Sequence, residues 1–369
     1  MKRFITLTLA VMAYTTLISQ ITLTRLPSGN NKKAMVGERV GLTDVLIQYS
    51  RPGVNGRDGK VWGQLVYKGF ENQGFGNSKA APWRAGANEN TIIEFSNDVI
   101  IEGQPLKKGK YGFFIAYDSL ESTAIFSSNY SSWGNYYYDD KEDVLRVKVK
   151  PVKIANSIER LKFEFMDQTD TSATIALLWE KLMIPIKLNT NYTNDQLAVF
   201  RDELRSQKGF YWQTWQEAAQ WSLQRNVNLE QALQWADSAS GPVFGGNTVF
   251  GPQATKAQIL QKLGRNEESA AIMKTALPLA NMQELHGYGR ELIRQKKPKE
   301  AMEVFQLNYK KNPDQFTSKV GMARGYSANG DYKNALKFAQ QALPQAPDPL
   351  NKTGVENMIQ KLKKGEDVN

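Results

Sequence analysis

The chain of 369 residues has no cysteine. Disulfides, thiolate zinc sites and cysteine nucleophiles are therefore excluded together, and no lipid-anchoring cysteine can follow a leader. Histidine is almost as scarce, since His286 is the only one. One imidazole cannot build a histidine-rich metal site or a repeated Ser–His arrangement, so no catalytic residue, metal ligand set or cofactor is assigned. Beyond the N-terminus no apolar run approaches the roughly 20 residues that span a bilayer. Dense basic blocks are missing too. Lys and Arg outnumber Asp and Glu by 47 to 37, a net charge of +10, yet no compact Lys/Arg cluster lies between Leu42 and Leu343. A mixed surface with a basic excess suits acidic partners or an anionic surface better than nucleic acid. The run Lys361 to Lys364 reads as a solvated helix end.

What is present begins with a leader-like segment. Lys2 and Arg3 precede the apolar stretch Phe4 to Ile18, and the small Ser19 follows. This order reads as a secretory signal over residues 1–19, with cleavage near Ser19 and export to the periplasm or the medium. From Gly41 to about Lys187 the hydrophobic period is near two, within a domain read over residues 30–190. Val45, Ile47 and Tyr49 alternate with polar residues. Thr91 to Phe95 and Val99 to Ile101 flank the turn-forming Ser96-Asn97-Asp98. Tyr111 to Ala116, Ala124 to Phe126, Val144 to Val149, the alternating Leu161, Phe163 and Phe165, and the long Ala173 to Leu188 follow, the last with polar breaks near Trp179 and Lys181. About eight strands separated by turns predict an antiparallel β-sandwich-like domain. Two irregular loops, Arg51 to Lys60 and Phe70 to Asn88, interrupt it.

After Asn189 the period becomes helical. Residues 191–252 read as a helical linker region with a Gly-rich break from Gly241 to Pro252. Residues 253–365 read as an all-α array of helical hairpins. There Gly289, Leu292, Ala301, Phe305 and Pro313 recur as Ala323, Tyr326, Ala335, Ala339 and Pro347, a period of 34 residues. An earlier copy runs through Ala257, Leu260, Gly264, Ser269, Met273 and Ala276. The period resembles the tetratricopeptide (TPR) repeat. Small residues such as Ala301 and Ala335 let helices approach, Leu292, Phe305 and Tyr326 fill the space between them, and Pro313 and Pro347 end each unit. Stacked hairpins form a concave surface suited to a protein or peptide partner.

The β region carries distinctive motifs: Gly41-Leu-Thr-Asp-Val-Leu-Ile-Gln-Tyr-Ser-Arg-Pro52, Gly56-Arg57, Val61-Trp62-Gly63-Gln-Leu-Val66, Trp83-Arg84-Ala-Gly86-Ala-Asn88-Glu89, Lys110-Tyr-Gly-Phe-Phe114, Trp133-Gly134 and the stretch Asp139 to Val149. Together they resemble the DUF2911 family. That resemblance implies an exported bacterial β-domain, often followed by helical repeats, and implies no activity. The link between Val66 and Trp83 is longer here than the family's usual one.

Arg51, Arg57 and Arg84 fall in the loops beside Trp62, Trp83, Asn88 and Glu89. Guanidinium forks match carboxylate, phosphate or sulfate, tryptophan faces stack on sugars, and Asn and Glu fix hydroxyls. If the loops converge they make a pocket for a glycan or small anion. The same residues serve equally well to lock the loops, with arginines bonding backbone carbonyls and tryptophans closing the sheet end. Asp139, Asp140, Glu142 and Asp143 are read in two ways: facing Glu89 or Glu94 as an acid–base pair for glycoside hydrolysis, or forming a solvated charged turn. Tyr136, Tyr137 and Tyr138 with Trp133 make either a sticky patch or edge packing. His286 falls on a repeat helix, as a surface or groove residue. Gly245, Gly246 and Gly251 lack the Lys-Ser/Thr pair of a phosphate loop. The sequence therefore predicts an exported, non-catalytic binding or scaffold protein. The alternative is a carbohydrate-binding or glycoside-processing envelope protein that uses the Arg/Trp/Asn/Glu loops.

Overall fold

Period-two burial builds the first half of the protein. In β2 (Thr43–Arg51), Thr43, Val45, Ile47 and Tyr49 are buried while the residues between them reach solvent. In β10 (Asp143–Val149), Leu145, Val147 and Val149 do the same. The computed structural model describes residues 31–74, 76–77 and 79–369. The leader expected over residues 1–19 lies outside them. The chain divides into two compact units between Gln196 and Leu197.

In the first unit, β1 (Lys32–Val40), β2, β5 (Thr91–Phe95), β8 (Gly109–Ala116), β9 (Ser122–Ser127) and β10 form one six-stranded sheet in that order. A second sheet orders β11 (Val152–Met166), β12 (Ser172–Thr190), β6 (Val99–Ile101) and β7 (Gln104–Leu106). Every pairing in both is antiparallel. Their inner faces share one core, in which Phe163 of β11 meets Tyr49 of β2 at 4.8 Å and Phe113 of β8 at 6.1 Å between ring centroids. The Phe163 amide also donates to the Tyr49 hydroxyl at 3.1 Å, satisfying two polar groups inside that core.

Three features depart from simple alternation. β1 is an edge strand whose Lys32, Lys33, Glu38 and Arg39 hide it from a hydrophobic reading, and charge on an edge discourages strand-to-strand aggregation. The polar break expected near Trp179 and Lys181 is a bulge: Glu180 has φ of 51° and the register against β11 shifts there. The long link from Val66 to Trp83 holds a small pair, β3 (Glu71–Asn72) with β4 (Ala80–Ala81). With the 128–142 loop it covers the outer face of the six-stranded sheet, where Ala81 and Tyr138 bury Phe114, Ala116 and Ile125.

The described residues after β12 form helices: α1 (Tyr192–Glu203), α2 (Trp212–Arg225), α3 (Leu229–Ser240), α4 (Phe250–Lys262), α5 (Asn266–Ala276), α6 (Met282–Arg294), α7 (Pro298–Lys311), α8 (Phe316–Ala328), α9 (Tyr332–Ala342) and α10 (Pro349–Lys363). None is long and apolar enough to cross a membrane. The pair α8–α9 begins 34 residues after the pair α6–α7. Caps set the boundaries. Asn281 and Glu284 form a capping box on α6, and Asp331 and Asp348 cap α9 and α10. Pro313 and Pro347 are exposed in the turns, so they stop helices and add no packing. Residues 241–249 run between α3 and α4 inside the second unit, with Gly246 so close to the Ala239 carbonyl that any side chain would overlap it.

Leu292, Ala301, Phe305, Ala335 and Ala339 are buried, and Tyr326 stacks on Phe338 at 5.6 Å. Phe305 is the wedge between repeats. A Cβ added at Gly289, Gly321 or Gly325 would lie 2.5, 2.8 or 2.9 Å from its ring. The glycines of α6 and α8 thus leave the volume that the ring occupies. Phe305→Ala is expected to destabilise the helical unit by about 3–5 kcal/mol, because the surrounding backbone cannot collapse into the void. Gly289→Ala, which gains about 1 kcal/mol in an unhindered helix, is expected to destabilise instead. Denaturant unfolding followed at the helical circular-dichroism band checks both; a stabilised Gly289→Ala would refute this packing.

Candidate functional site

Residues 80–85 run beside β8, where Trp83 and Ile115 exchange backbone hydrogen bonds of 3.0 and 2.8 Å. This contact delivers Trp83 and Arg84 to a cleft of about 330 Å³ at the end of the sandwich. Of the residues singled out from the sequence, Arg57, Trp83, Arg84 and Asn88 line it. Tyr67, Asn135 and Trp179 also line it, and no sequence signal pointed to them. Ala85 and Asn88 both hold positive φ, 49° and 60°, a conformation that non-glycine residues keep only when their surroundings impose it.

The arginines lock their loops and still bring charge to the cleft. Arg84 Nη1 donates to the Asn88 carbonyl at 2.9 Å, and its guanidinium lies over the Tyr136 ring at 4.8 Å. Gly134 makes room for it, since a Cβ there would overlap the guanidinium. Arg57 donates from Nε to the Val54 carbonyl at 2.9 Å and from Nη2 to the Gly53 carbonyl at 2.7 Å. Trp83 stacks on Trp179 at 6.0 Å and donates its indole N–H to the Gly86 carbonyl at 3.1 Å. Only 7% of Trp83 is exposed, so it offers no open face to a sugar ring.

Asn135 is buried. Its Nδ2 donates to the Tyr67 hydroxyl at 2.7 Å and to the Pro82 carbonyl at 2.8 Å, while its Oδ1 has no partner among the described residues. Tyr67 donates in turn to the Ala81 carbonyl at 2.9 Å. Burial pushes the Tyr67 hydroxyl up to about 12, so it stays neutral. The Trp179 indole N–H is likewise buried and unpartnered.

Three sequence candidates lie elsewhere. Arg51 donates from Nε to the Leu161 carbonyl at 2.9 Å, tying the loop to β11. Trp62 is not in the cleft lining. It meets Trp83 and Trp179 edge-on at 5.6 and 6.1 Å and donates to the Trp179 carbonyl at 3.2 Å. Glu89 pairs with Lys33 at 2.8 Å and lines a separate groove with Ser50 and Asn90. The acids are each engaged differently. Asp143 accepts from the Tyr138 hydroxyl and from Arg146 Nε, both at 2.6 Å, and burial raises its proton affinity. Asp139 caps a turn, Glu142 accepts from Asn129 Nδ2 at 3.1 Å, and Glu94 pairs with Lys110 at 3.4 Å.

The helical unit has its own groove, of about 270 Å³, lined by matching faces of α6, α8 and α10. Gln283, His286 and Arg290 come from α6, Thr317, Val320 and Arg324 from α8, and Leu350, Gly354 and Met358 from α10. No carboxylate is among the lining residues. His286 Nδ1 and Arg324 Nε are buried without partners among the described residues. Arg324 Nη1 reaches the Val368 carbonyl at 3.3 Å, and Ser327 donates to Asp367 at 2.6 Å, so the last residues pack on α8. Burial, then the charges of Arg324 and Arg290, lower the His286 pKa to about 4. The folded state therefore holds His286 neutral while the unfolded chain protonates it below its ordinary value of 6.5. Its stabilising contribution is complete above about pH 6.5 and is lost as pH falls toward 4, up to about 3 kcal/mol. Denaturant titrations at pH 7, 6 and 5 are expected to show that decline and to show it flattened in His286→Gln; parallel profiles would contradict it.

Three comparisons place these units. Residues 31–188 match the family described as "Protein of unknown function (DUF2911)". No curated protein matches the chain. Among solved structures, the nearly identical TPR-like repeats of a Podosopora anserina kinesin light chain are similar at 14% identity, over 42% of this chain and 85% of that one, with a TM-score of 0.31. YrrB, a TPR protein with an unusual peptide-binding site, is 16% identical over 46% and 86%, at 0.30. MamA from Desulfovibrio magneticus RS-1 is 14% identical over 42% and 93%, at 0.28. The 34-residue spacing of the helix pairs and the packing around Phe305 define the repeat. Residues 31–188 are thus similar to the DUF2911 family, and helical hairpins with a 34-residue, TPR-like period follow them.

Proposed function

We propose that this is an exported, non-catalytic binding protein whose helical hairpins hold a protein or peptide partner. The observation that supports it best is the groove of α6, α8 and α10, where Arg290 and Arg324 present positive charge, and His286 and Arg324 unpaired polar atoms, beside apolar Val320 and Met358. A segment bearing an acidic side chain and an apolar neighbour fits that combination. Export belongs to the same reading and is supported by the leader-like order of Lys2, Arg3 and the apolar residues after them. Binding is favoured over carbohydrate processing because Asp143, Glu89 and Glu94 are each engaged in an ion pair.

The test uses the full chain with a photo-crosslinking residue in place of exposed Gln283, in envelope extract. Discrete adducts are expected. They are expected to fall about ten-fold or more in Arg290→Glu, which reverses charge at an exposed position and leaves the core untouched. Finding no reproducible adduct, or an undiminished set with Arg290→Glu, would count against the reading.

A further inference from the structure

We propose that the cleft of the β-sandwich is a binding site for a small hydroxylated carboxylate of the sugar-acid class. This lies in the other unit from the partner groove and stands independently of it. Four observations carry it.

The first is charge. Arg57 and Arg84 line the cleft, and no Asp or Glu does. Their backbone bonds use Nε and Nη2 of Arg57 and Nη1 of Arg84. A guanidinium held in place through some of its N–H groups presents the remainder at fixed angles, which is the arrangement that suits an oxyanion.

The second is the pair of orphaned polar atoms. Asn135 Oδ1 can only accept and the Trp179 indole N–H can only donate. The identity of the Asn135 atoms is fixed by its neighbours: Nδ2 faces the Pro82 carbonyl, which can only accept. Asn135 and Trp179 both line the cleft, and a ligand seated there that also meets these atoms must carry a donor and an acceptor. A carboxylate alone has no donor, and a neutral sugar has hydroxyls but no charge to meet the arginines. A carboxylate joined to hydroxyls supplies every function.

The third is size. A cleft of about 330 Å³ is at the lower end for small-molecule sites, so it suits one small ligand rather than an extended chain. The fourth is rigidity. Positive φ at Ala85 and Asn88, the Trp83–Trp179 stack and the Asn135 hydrogen bonds hold the lining in one arrangement before any ligand arrives.

The experiment is calorimetric titration of the full chain with glucuronate, galacturonate and gluconate, and with glucose and sulfate as the two halves of the chemistry. At least one sugar acid is expected to bind one to one. Glucose, which lacks the charge, and sulfate, which lacks a hydroxyl donor, are each expected to bind at least about ten-fold more weakly. Leu65 lines the cleft and is 45% exposed, so its substitution spares the core. Leu65→Glu is expected to weaken the sugar acid by about ten-fold and Leu65→Gln by no more than about three-fold. Failure of all three sugar acids to bind would overturn the proposal. So would glucose or sulfate binding as tightly as the best of them, or equal affinity in Leu65→Glu and Leu65→Gln.

Discussion

A polar atom removed from water must find a partner or cost the fold stability, and that constraint organises both halves of this protein. It explains the loops of the β-sandwich. Arg57 and Arg84 donate to loop carbonyls that irregular chain would otherwise leave bare, and Arg51 donates to the Leu161 carbonyl beside the register shift of β11. Trp62 and Trp83 do the same with their indole N–H groups. The tryptophan cluster then seals the sheet end. Nine buried side-chain atoms stay unpartnered among the described residues, and four of them belong to residues that line the two clefts described above.

The two clefts share a logic and differ in material. Both carry two arginines and no lining carboxylate. In the β-sandwich they stand in strained loops over a rigid sheet, which suits a small ligand. In the hairpin array they stand on parallel helix faces, with apolar side chains between them, which suits a chain segment.

The sequence made some of this legible. Alternation gave β2 and β10 because each has one wet face. The 34-residue period gave the hairpins because Phe305 and the small residues around it recur at fixed helical positions. β1 escaped because an edge strand needs charge, and charge masks alternation. Half of the candidate cleft was readable, since Arg57, Trp83, Arg84 and Asn88 are motif residues in two long loops. Tyr67, Asn135 and Trp179 were not, because they come from a link, a turn and a strand far apart in the chain, and only the fold brings them together. Glu89 falls outside this cleft for a local reason. It follows Asn88, whose positive φ turns the chain, so that Glu89 pairs with Lys33 while Asn88 lines the cleft. Proline positions gave boundaries correctly and packing wrongly, since a residue that stops a helix sits in an exposed turn.

The most direct test of this constraint reads one of the orphaned atoms. Nitrogen-15 labelling of the tryptophans gives each indole N–H a separate signal, and Trp179→Phe identifies the one from Trp179. On adding a sugar acid, the Trp179 signal is expected to shift downfield as its N–H gains an acceptor. The signals of Trp212, Trp221 and Trp235 in the helical unit are expected to stay in place. A Trp179 signal that does not move at saturating ligand, or one that moves together with those three, would contradict the central claim.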